Sequence, residues 1–484
     1  MSGQVPRRVA RFIPAAALLL LAACAAVAPE TAGKRGARAP NILFVLADDL
    51  GVDSTRFYPQ YDPQHENVSL PTLEALAARG IVFDNARATP LCSPTRGMIL
   101  SGRYPHANGV NYVSVPFPPT TVSLHRHLAE HGAAQYATAA IGKWHLGANL
   151  FEKIGIPRYD GMIGSHVTNY FDWTETHYEN GVTREEKVTE YATTHLVNRS
   201  IEFIGGVRAK DPNKPWFLYL AFNAPHGTAP NDGFQVPPKN LWNQKELASI
   251  AGRAVDAKVY NGDIPVYQAL TQAMDTELGR LLAYLDSIGE RDNTLIIFMG
   301  DNGTPQQVQR KNIGALRGAK WDILDGGVRV PLLVAGAGVK RHGVREDALV
   351  VATDMFATVA QVAGAETRGM TDTFSIVPLL SRAGADTGRK FAFTELCPPS
   401  RPPGSGDMYT VVSRDGHKLS YNRGNWEFFD LKADPAEQRN LFAADKPSAR
   451  QVAMKAEMDA LEKRPDNVKG CFHPAGEVRA ATPQ

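Results

Sequence analysis

Four apolar runs, each ended by a cluster of polar residues, constrain this 484-residue chain more than any other feature. Asn41–Ala47 (NILFVLA) is apolar almost throughout and has the length of a strand, and Asp48-Asp49 follows at once. Tyr136–Ile141 runs into Gly142-Lys143-Trp144-His145-Leu146-Gly147. Trp216–Phe222 (WFLYLAF) runs into Asn223-Ala224-Pro225-His226, and Thr294–Met299 (TLIIFM) into Gly300-Asp301-Asn302-Gly303. Strands that do not alternate apolar with polar are covered on both faces. Helical patterns fill the gaps, over Pro71–Arg79, Thr121–Glu130, Glu185–Gly205 and Pro265–Ile288, with prolines 71 and 265 at first-turn positions. The alternation predicts an α/β fold with a large, mostly parallel or mixed sheet flanked by helices. Carboxyl ends of parallel strands share one edge, where ligands bind. Asp48, Asp49, Lys143, His145, His226, Asp301 and Asn302 are therefore expected to converge.

The character changes near residue 389. Short strand-like runs (Phe391–Leu396, Tyr409–Arg414, His417–Tyr421, Trp426–Asp430) precede a helix near Ser448–Lys463. They predict a smaller α+β domain over 389–484, after a catalytic domain over 41–388. At the other end, Arg7, Arg8 and Arg11 precede Phe12–Ala23, a run too short to cross a bilayer, for which about 20 residues are needed. Residues 1–23 read as a secretory signal. Its end, Leu21-Ala22-Ala23-Cys24, resembles the bacterial lipoprotein box, which makes Cys24 the lipid-bearing first residue of a periplasmic or outer-membrane lipoprotein. An ordinary cleavage site, with Cys24 discarded, is the alternative. Residues 24–40 form a Pro-, Gly- and Arg-containing tether.

Lys and Arg number 52 against 50 Asp and Glu, and leaving out residues 1–40 leaves 46 basic against 49 acidic. No basic field for nucleic acid survives. Four cysteines with no C-x-x-C exclude a disulfide scaffold and a cysteine-based zinc module. Cys397 and Cys471 are a candidate pair in an oxidising compartment.

The segment Leu91-Cys92-Ser93-Pro94-Thr95-Arg96-Gly97 puts Cys92 and Arg96 over a helix start marked by Pro94. Free N–H groups and the helix dipole attract anions there, and Arg96 adds a planar donor fork. Continued by Leu100-Ser101-Gly102-Arg103, the segment resembles the signature of the type I sulfatases, in the alkaline-phosphatase-like superfamily, at which cysteine becomes formylglycine. The resemblance extends through Ala47–Gly51, Gly142–Gly147, Ala224–His226, Gly300–Gly303, Leu316–Pro331 and Trp426–Leu441, in the family's order, from about residue 40 to 441.

That resemblance implies one divalent metal, usually calcium, held by Asp48, Asp49, Asp301, Asn302 and the residue at position 92. An oxygen-only donor set suits a hard cation, with magnesium or manganese as lesser alternatives. It further implies that hydrated formylglycine from Cys92 attacks sulfur, with the metal lowering the pKa of the attacking hydroxyl and Asp301 accepting its proton. His226 and Lys320 would protonate the leaving oxygen, and His145 would deprotonate the second hydroxyl. Arg96 and Lys143 would balance charge. The implied activity is hydrolysis of an aryl or carbohydrate sulfate ester, in a chain that needs a formylglycine-generating maturase as partner.

Other residues are assigned no chemistry. Lys320 has Lys311 and Arg317 as rivals nearby. His125, His127 and His131 are expected on a solvated helix face, His106 in a loop, and Asp325 as a helix cap. Insertions Asn111–Pro119, Tyr159–Tyr178 and Asn231–Gly262 carry Tyr170, Phe171, Trp173, Tyr178, Trp242 and Tyr260, aromatics suited to a sugar or an aryl group. A phosphatase or phosphonate monoester hydrolase of the same superfamily is the nearest alternative; Asn302, where a second-metal site would more often have His, favours sulfate. A non-catalytic binding protein would be free to lose Cys92, Arg96, Asp301 or His226, and all four are present.

Overall fold

The computed structural model describes residues 38–62, 64–147, 151–228, 232–255, 258–309, 316–397, 407–465 and 467. The signal segment, Cys24, most of the tether, Lys311 and Cys471 lie outside the described residues. Ten strands form one sheet: β1 (Asn41–Ala47), β2 (Gly80–Phe83), β3 (Ala137–Gly142), β4 (Arg158–Gly161), β5 (Trp173–Glu179), β6 (Val182–Val188), β7 (Trp216–Ala221), β8 (Thr294–Gly300), β9 (Leu332–Gly336) and β10 (Val344–Glu346). Their spatial order is β10-β2-β9-β8-β1-β7-β3-β4-β5-β6. Strands β8, β1, β7, β3 and β4 are mutually parallel, while β9 and the β5–β6 hairpin run antiparallel to their neighbours.

The four apolar runs are thus the four adjacent central strands, β8-β1-β7-β3. Their carboxyl ends are in step: Ala47 is level with Gly300, Leu46 with Ala221, and Gly142 with Ala221. Both faces are buried, because side chains alternate across the pleat. Ile42, Phe44 and Leu46 join one hydrophobic cluster with Phe217 and Ile297. Leu43, Val45 and Ala47 join another with Leu218 and Phe298. Helices Cys92–Ser101, Leu124–His131 and Asp354–Val362 cover the first face, and Pro71–Ala78, Ala192–Lys210 and Ile264–Ser287 the second.

The expected helix over Glu185–Gly205 is corrected. Val182–Val188 is an edge strand exposed at six of its seven positions, and the helix starts only at Ala192. An edge strand solvated on both faces has no apolar period to betray it. The expected solvated histidine face is corrected at two positions, while His131 is exposed as expected. His125 is fully buried, its ring 5.0 Å from that of Phe217, and its Nε2–H donates to the Ala139 carbonyl. His127 is buried too, and its Nε2 lies 3.0 Å from the Glu366 carbonyl oxygen. His106 sits in a short helix, Pro105–Asn108, buried 3.1 Å from Glu395.

A separate antiparallel sheet, β11 (Phe391–Leu396), β12 (Met408–Ser413), β13 (His417–Asn422) and β14 (Asn425–Asp430), is followed by the helix Ala449–Glu462. Phe393, Val411, Met454 and Met458 extend the first hydrophobic cluster into this region, and the described residues from Ala39 onward form one compact unit. Cys397 is disulfide-bonded. Among the described residues no helix is long and apolar enough to cross a membrane.

Candidate active site

The helix Cys92–Ser101 starts beneath the carboxyl edge of the sheet, and every one of its residues is buried. Cys92 opens the helix. Its Sγ lies 3.3 Å from Nδ1 of His145, at the end of β3, and burial pushes the thiol pKa up. One turn later Arg96 reaches across the carboxyl edge. It donates Nη1–H to the Lys143 carbonyl (2.8 Å) and Nη2–H to Asp301 Oδ2 (2.7 Å), and lies 3.6 Å from Asp48. Ser93 donates its hydroxyl to the carbonyl of His145 (2.8 Å), tying the start of the helix to that loop.

Asp49, the second residue after β1, is left-handed, at φ 64°. His145 is left-handed too, at φ 56°. Non-glycine residues in this region are uncommon and concentrate at functional sites. Asp49 accepts from Asn302 Nδ2 (2.7 Å) on Oδ1 and from Lys320 Nζ (2.9 Å) on Oδ2, while its own N–H donates to Asp301 Oδ1 (3.0 Å). Lys143 forms an ion pair with Asp48. His226 donates Nδ1–H to the Gly227 carbonyl (2.8 Å), which leaves Nε2 as an acceptor 3.1 Å from Lys320 Nζ and 3.5 Å from Asp49.

All sequence-predicted site residues among Cys92, Arg96, Lys143, His145, His226, Lys320, Asp48, Asp49, Asp301 and Asn302 therefore meet in one buried cluster. Lys320, with rivals at 311 and 317, joins it directly, whereas Arg317 turns away to the Glu437 carbonyl. The close approach at Asp301–Gly303 needs glycine: a Cβ on Gly303 would lie 1.9 Å from the Gly326 carbonyl oxygen.

The electrostatics are those of a site crowded with acid. Burial and the neighbouring Asp48 push the Asp301 carboxyl up to about 7, despite Arg96. Burial also opposes ionisation of Asp49, but the charges of Lys320 and Lys143 overcome it and hold that carboxyl far below the usual range. Burial, reinforced by Lys143, holds the His145 imidazole neutral, and burial with Lys320 does the same for His226. Two buried acceptors, Asp48 Oδ1 and Asn302 Oδ1, have no hydrogen-bond partner among the described residues. Asp48, Cys92 and Asp301 bring ligand atoms within 4.8 Å of one another, as do Asp48, Asp49 and His226. Unpaired hard oxygen acceptors beside three carboxylates fit a divalent cation of the calcium or magnesium kind.

Two features escaped sequence reasoning. Ser114, left-handed at φ 60°, lies 3.1 Å from His145 Nε2 through its hydroxyl. His166 stacks on His226, with ring centroids 5.5 Å apart and planes 14° from parallel. Both lie in insertions singled out above, Asn111–Pro119 and Tyr159–Tyr178, but nothing in the sequence marks these two residues within them. Asp325, expected as a cap, is instead the buried centre of an ion cluster with Arg87, Arg329 and Lys418.

The chain is similar to known proteins over most of its length. A family model described as sulfatase matches residues 40–365, and a model of the C-terminal part of N-sulphoglucosamine sulphohydrolase matches residues 320–464. An N-acetylglucosamine-6-O-sulfatase of Bacteroides thetaiotaomicron is 24% identical, over 93% of this chain and 91% of its own. Among solved structures, Ps i-CgsB in complex with k-i-k-neocarrahexaose superposes with a TM-score of 0.70 at 24% identity, covering 89% of this chain and 94% of that one. A protein solved with its substrate D-glucosamine-2-N,6-O-disulfate has a TM-score of 0.66 at 22% identity, covering 89% and 99%.

Proposed function

The chain belongs to the sulfatase family, enzymes that hydrolyse sulfate esters, and from that premise we propose that it cleaves a carbohydrate sulfate to an alcohol and inorganic sulfate with one metal and a formylglycine at position 92. The observation that carries the reading is the buried meeting of Cys92 with Asp48, Asp49, Asp301 and Asn302 while two of their oxygen acceptors stay unpaired. Calcium held by those four residues would supply the charge that lowers the pKa of the nucleophile and screens the sulfate oxygens. Hydrated formylglycine would supply two hydroxyls on one carbon, which a thiol cannot.

The remaining chemistry belongs to side chains already described. Arg96 and Lys143 are fixed donors at the helix start and compensate developing negative charge without reorganising. His145, neutral and with Nδ1 directed at position 92, is suited to take a proton from a hydroxyl there. His226 Nε2 accepts a hydrogen bond from Lys320 Nζ, which orients the ammonium, so the pair is suited to deliver a Lys320 proton to a leaving oxygen beside them.

A carbohydrate substrate is supported by a relative named N-acetylglucosamine-6-O-sulfatase and by similar structures holding k-i-k-neocarrahexaose and D-glucosamine-2-N,6-O-disulfate. Export through residues 1–23, with Cys24 as lipid attachment and a periplasmic or outer-membrane location, and a separate maturase for Cys92, complete the proposal. The test is the mass of the peptide carrying Cys92, from protein made in its own host, with sulfate release assayed in parallel. Conversion replaces CH2SH by CHO, and sulfate release should stop on chelation and return with calcium. A Cys92 that stays a thiol in a protein releasing no sulfate would overturn the reading.

A further inference from the structure

Two loops are anchored against His226, and each leaves a polar group, one ring nitrogen or a carboxylate, without a protein partner among the described residues. The first carries His166. Val167 N–H donates to Asn223 Oδ1 (3.2 Å), and the Tyr170 hydroxyl donates to the carbonyl of His226 itself (2.8 Å). These bonds hold the backbone that follows His166, whose ring stacks on that of His226. His166 Nδ1 is satisfied by the Ser165 hydroxyl at 2.9 Å, and burial together with Lys143 keeps the imidazole neutral. Its Nε2 bonds to no protein group among the described residues.

The second loop carries Asp232. Its carbonyl oxygen presses on Gly227, where a Cβ would come within 2.1 Å, and accepts Gln307 Nε2–H at 2.9 Å. The exposed carboxylate of Asp232 makes no hydrogen bond or ion pair among the described residues. One imidazole nitrogen each of His166 and His226 and a carboxylate oxygen of Asp232 lie within 4.8 Å of one another, yet Asp232 is outside the 4.0 Å reach of an ion pair to either ring. A gap of that size is closed by a single oxygen about 2.8 Å from each side.

A metal ion does not suit the gap. Both nitrogens of His226 are engaged, Nδ1–H with Gly227 and Nε2 with Lys320, so the triangle lacks a free third ligand. A hydroxyl does suit it, accepting from His166 Nε2–H and donating to Asp232. The position is the leaving-group side of the site, next to His226.

We infer that His166 and Asp232 bind a sugar hydroxyl neighbouring the scissile sulfate, and so select a carbohydrate ester carrying no second anion at that position over an aryl ester. This rests on the sulfate-ester reading above. An aryl leaving group offers no hydroxyl there and leaves both groups unpaired, whereas a second sulfate or a carboxylate at that place would meet the Asp232 charge.

The test compares kcat/KM of the metal-loaded, matured enzyme and of His166→Phe and Asp232→Ala on a panel of monosulfated monosaccharides and on 4-nitrophenyl sulfate. Phenylalanine keeps the ring stack on His226 and removes only the nitrogens. Each variant should lose roughly tenfold to a hundredfold on the preferred sugar ester and stay within about twofold on the aryl ester. Equal losses on both substrates would mean that His166 merely props His226, and would overturn the inference. Loss on neither, or relief of zinc inhibition as the only effect, would overturn it as well. A wild-type enzyme that cleaves the aryl ester but no sugar sulfate sinks the inference alone; one that cleaves neither sinks the sulfatase chemistry with it.

Discussion

Two buried charge clusters, around Asp325 and around Asp301, are built from the same kinds of side chain, yet they are finished differently. In the cluster around Asp325, Arg87 pairs both carboxylate oxygens (2.8 and 3.1 Å), Lys418 adds a contact at 3.0 Å and Arg329 one at 3.2 Å. Lys418 also lies 2.7 Å from Glu437, which accepts the Asp325 N–H. Despite burial, Arg87 and Lys418 hold the Asp325 carboxyl well below the ordinary range. In the cluster around Asp301 the acids are crowded instead of saturated: the Asp301 carboxyl rises, Asp48 and Asn302 keep bare oxygens, and Asp49 and His145 hold strained backbone. A saturated cluster is a fastening, and an unsaturated one is a binding site. The two are joined, because Gly303 N–H donates to the carbonyl of Gly327 (2.9 Å), two residues from Asp325. Lys418 and Glu437 of the C-terminal region thereby support the backbone that presents Asp301 and Asn302.

The largest expected effect separates chemistry from fold. Cys92→Ala should lower kcat by on the order of 10⁴-fold or more, while shifting unfolding by only about 1 kcal/mol. Enzyme assay and denaturant unfolding of the same preparation check this; a large loss of stability would place Cys92 among the fastenings. Asp325→Ala is the converse. It strands Arg87, Lys418 and Arg329 without their carboxylate and should cost about 3–5 kcal/mol in unfolding free energy. A loss below about 1 kcal/mol would show that solvent reaches the cluster and that the contrast drawn here is false.

Calcium sharpens the distinction. At about a hundred times its dissociation constant it should stabilise the native protein by about 2.7 kcal/mol, read as a rise in Tm. Asp301→Asn should abolish that increment without lowering the calcium-free Tm, since it relieves crowding between acids. A substitution at Asp325 that still folds should keep the increment. Stabilisation by calcium that survives Asp301→Asn would put the cation elsewhere.

The difference between the clusters also explains what was legible in the sequence. Strands β1, β7 and β8 are unbroken apolar runs, and their ends locate Asp48, His226 and Asp301 through the geometry of parallel sheets alone. Lys320 lies in a loop with no strand before it, and only its resemblance to a family motif chose it over Arg317. The Asp325 cluster draws on residues 87, 325, 329, 418 and 437, and each alone looks like an ordinary surface charge. Long-range pairing of that kind leaves no local period. His166 and Asp232 were invisible for the same reason, as each is placed by anchors on another loop. Strand β6 was misread because its exposed Thr183-Arg184-Glu185-Glu186-Lys187 fits the polar face of a helix as well as it fits an edge strand.

The smallest expected effect probes how the fastening depends on pH. Burial pushes the Glu437 carboxyl up from its ordinary 4.5, and Lys418 opposes that rise. A group whose folded pKa is raised favours the fold below its unfolded pKa and loses that contribution as pH rises through the folded value. In Lys418→Met the opposing charge is gone, so Glu437 rises further and resists ionisation over a wider range. Near pH 4.5 Glu437 is largely protonated in the folded state and the loss of Lys418 matters least. Above neutrality the variant must either hold a proton against the solvent or bury an unpaired charge. The deficit relative to the parent should therefore grow with pH, reaching about 1–3 kcal/mol by pH 8. Urea unfolding of both proteins between pH 5 and 8.5 measures it. Asp325 stays ionised across that window, so a deficit constant in pH would assign the whole contribution of Lys418 to Asp325 and leave Glu437 outside the fastening.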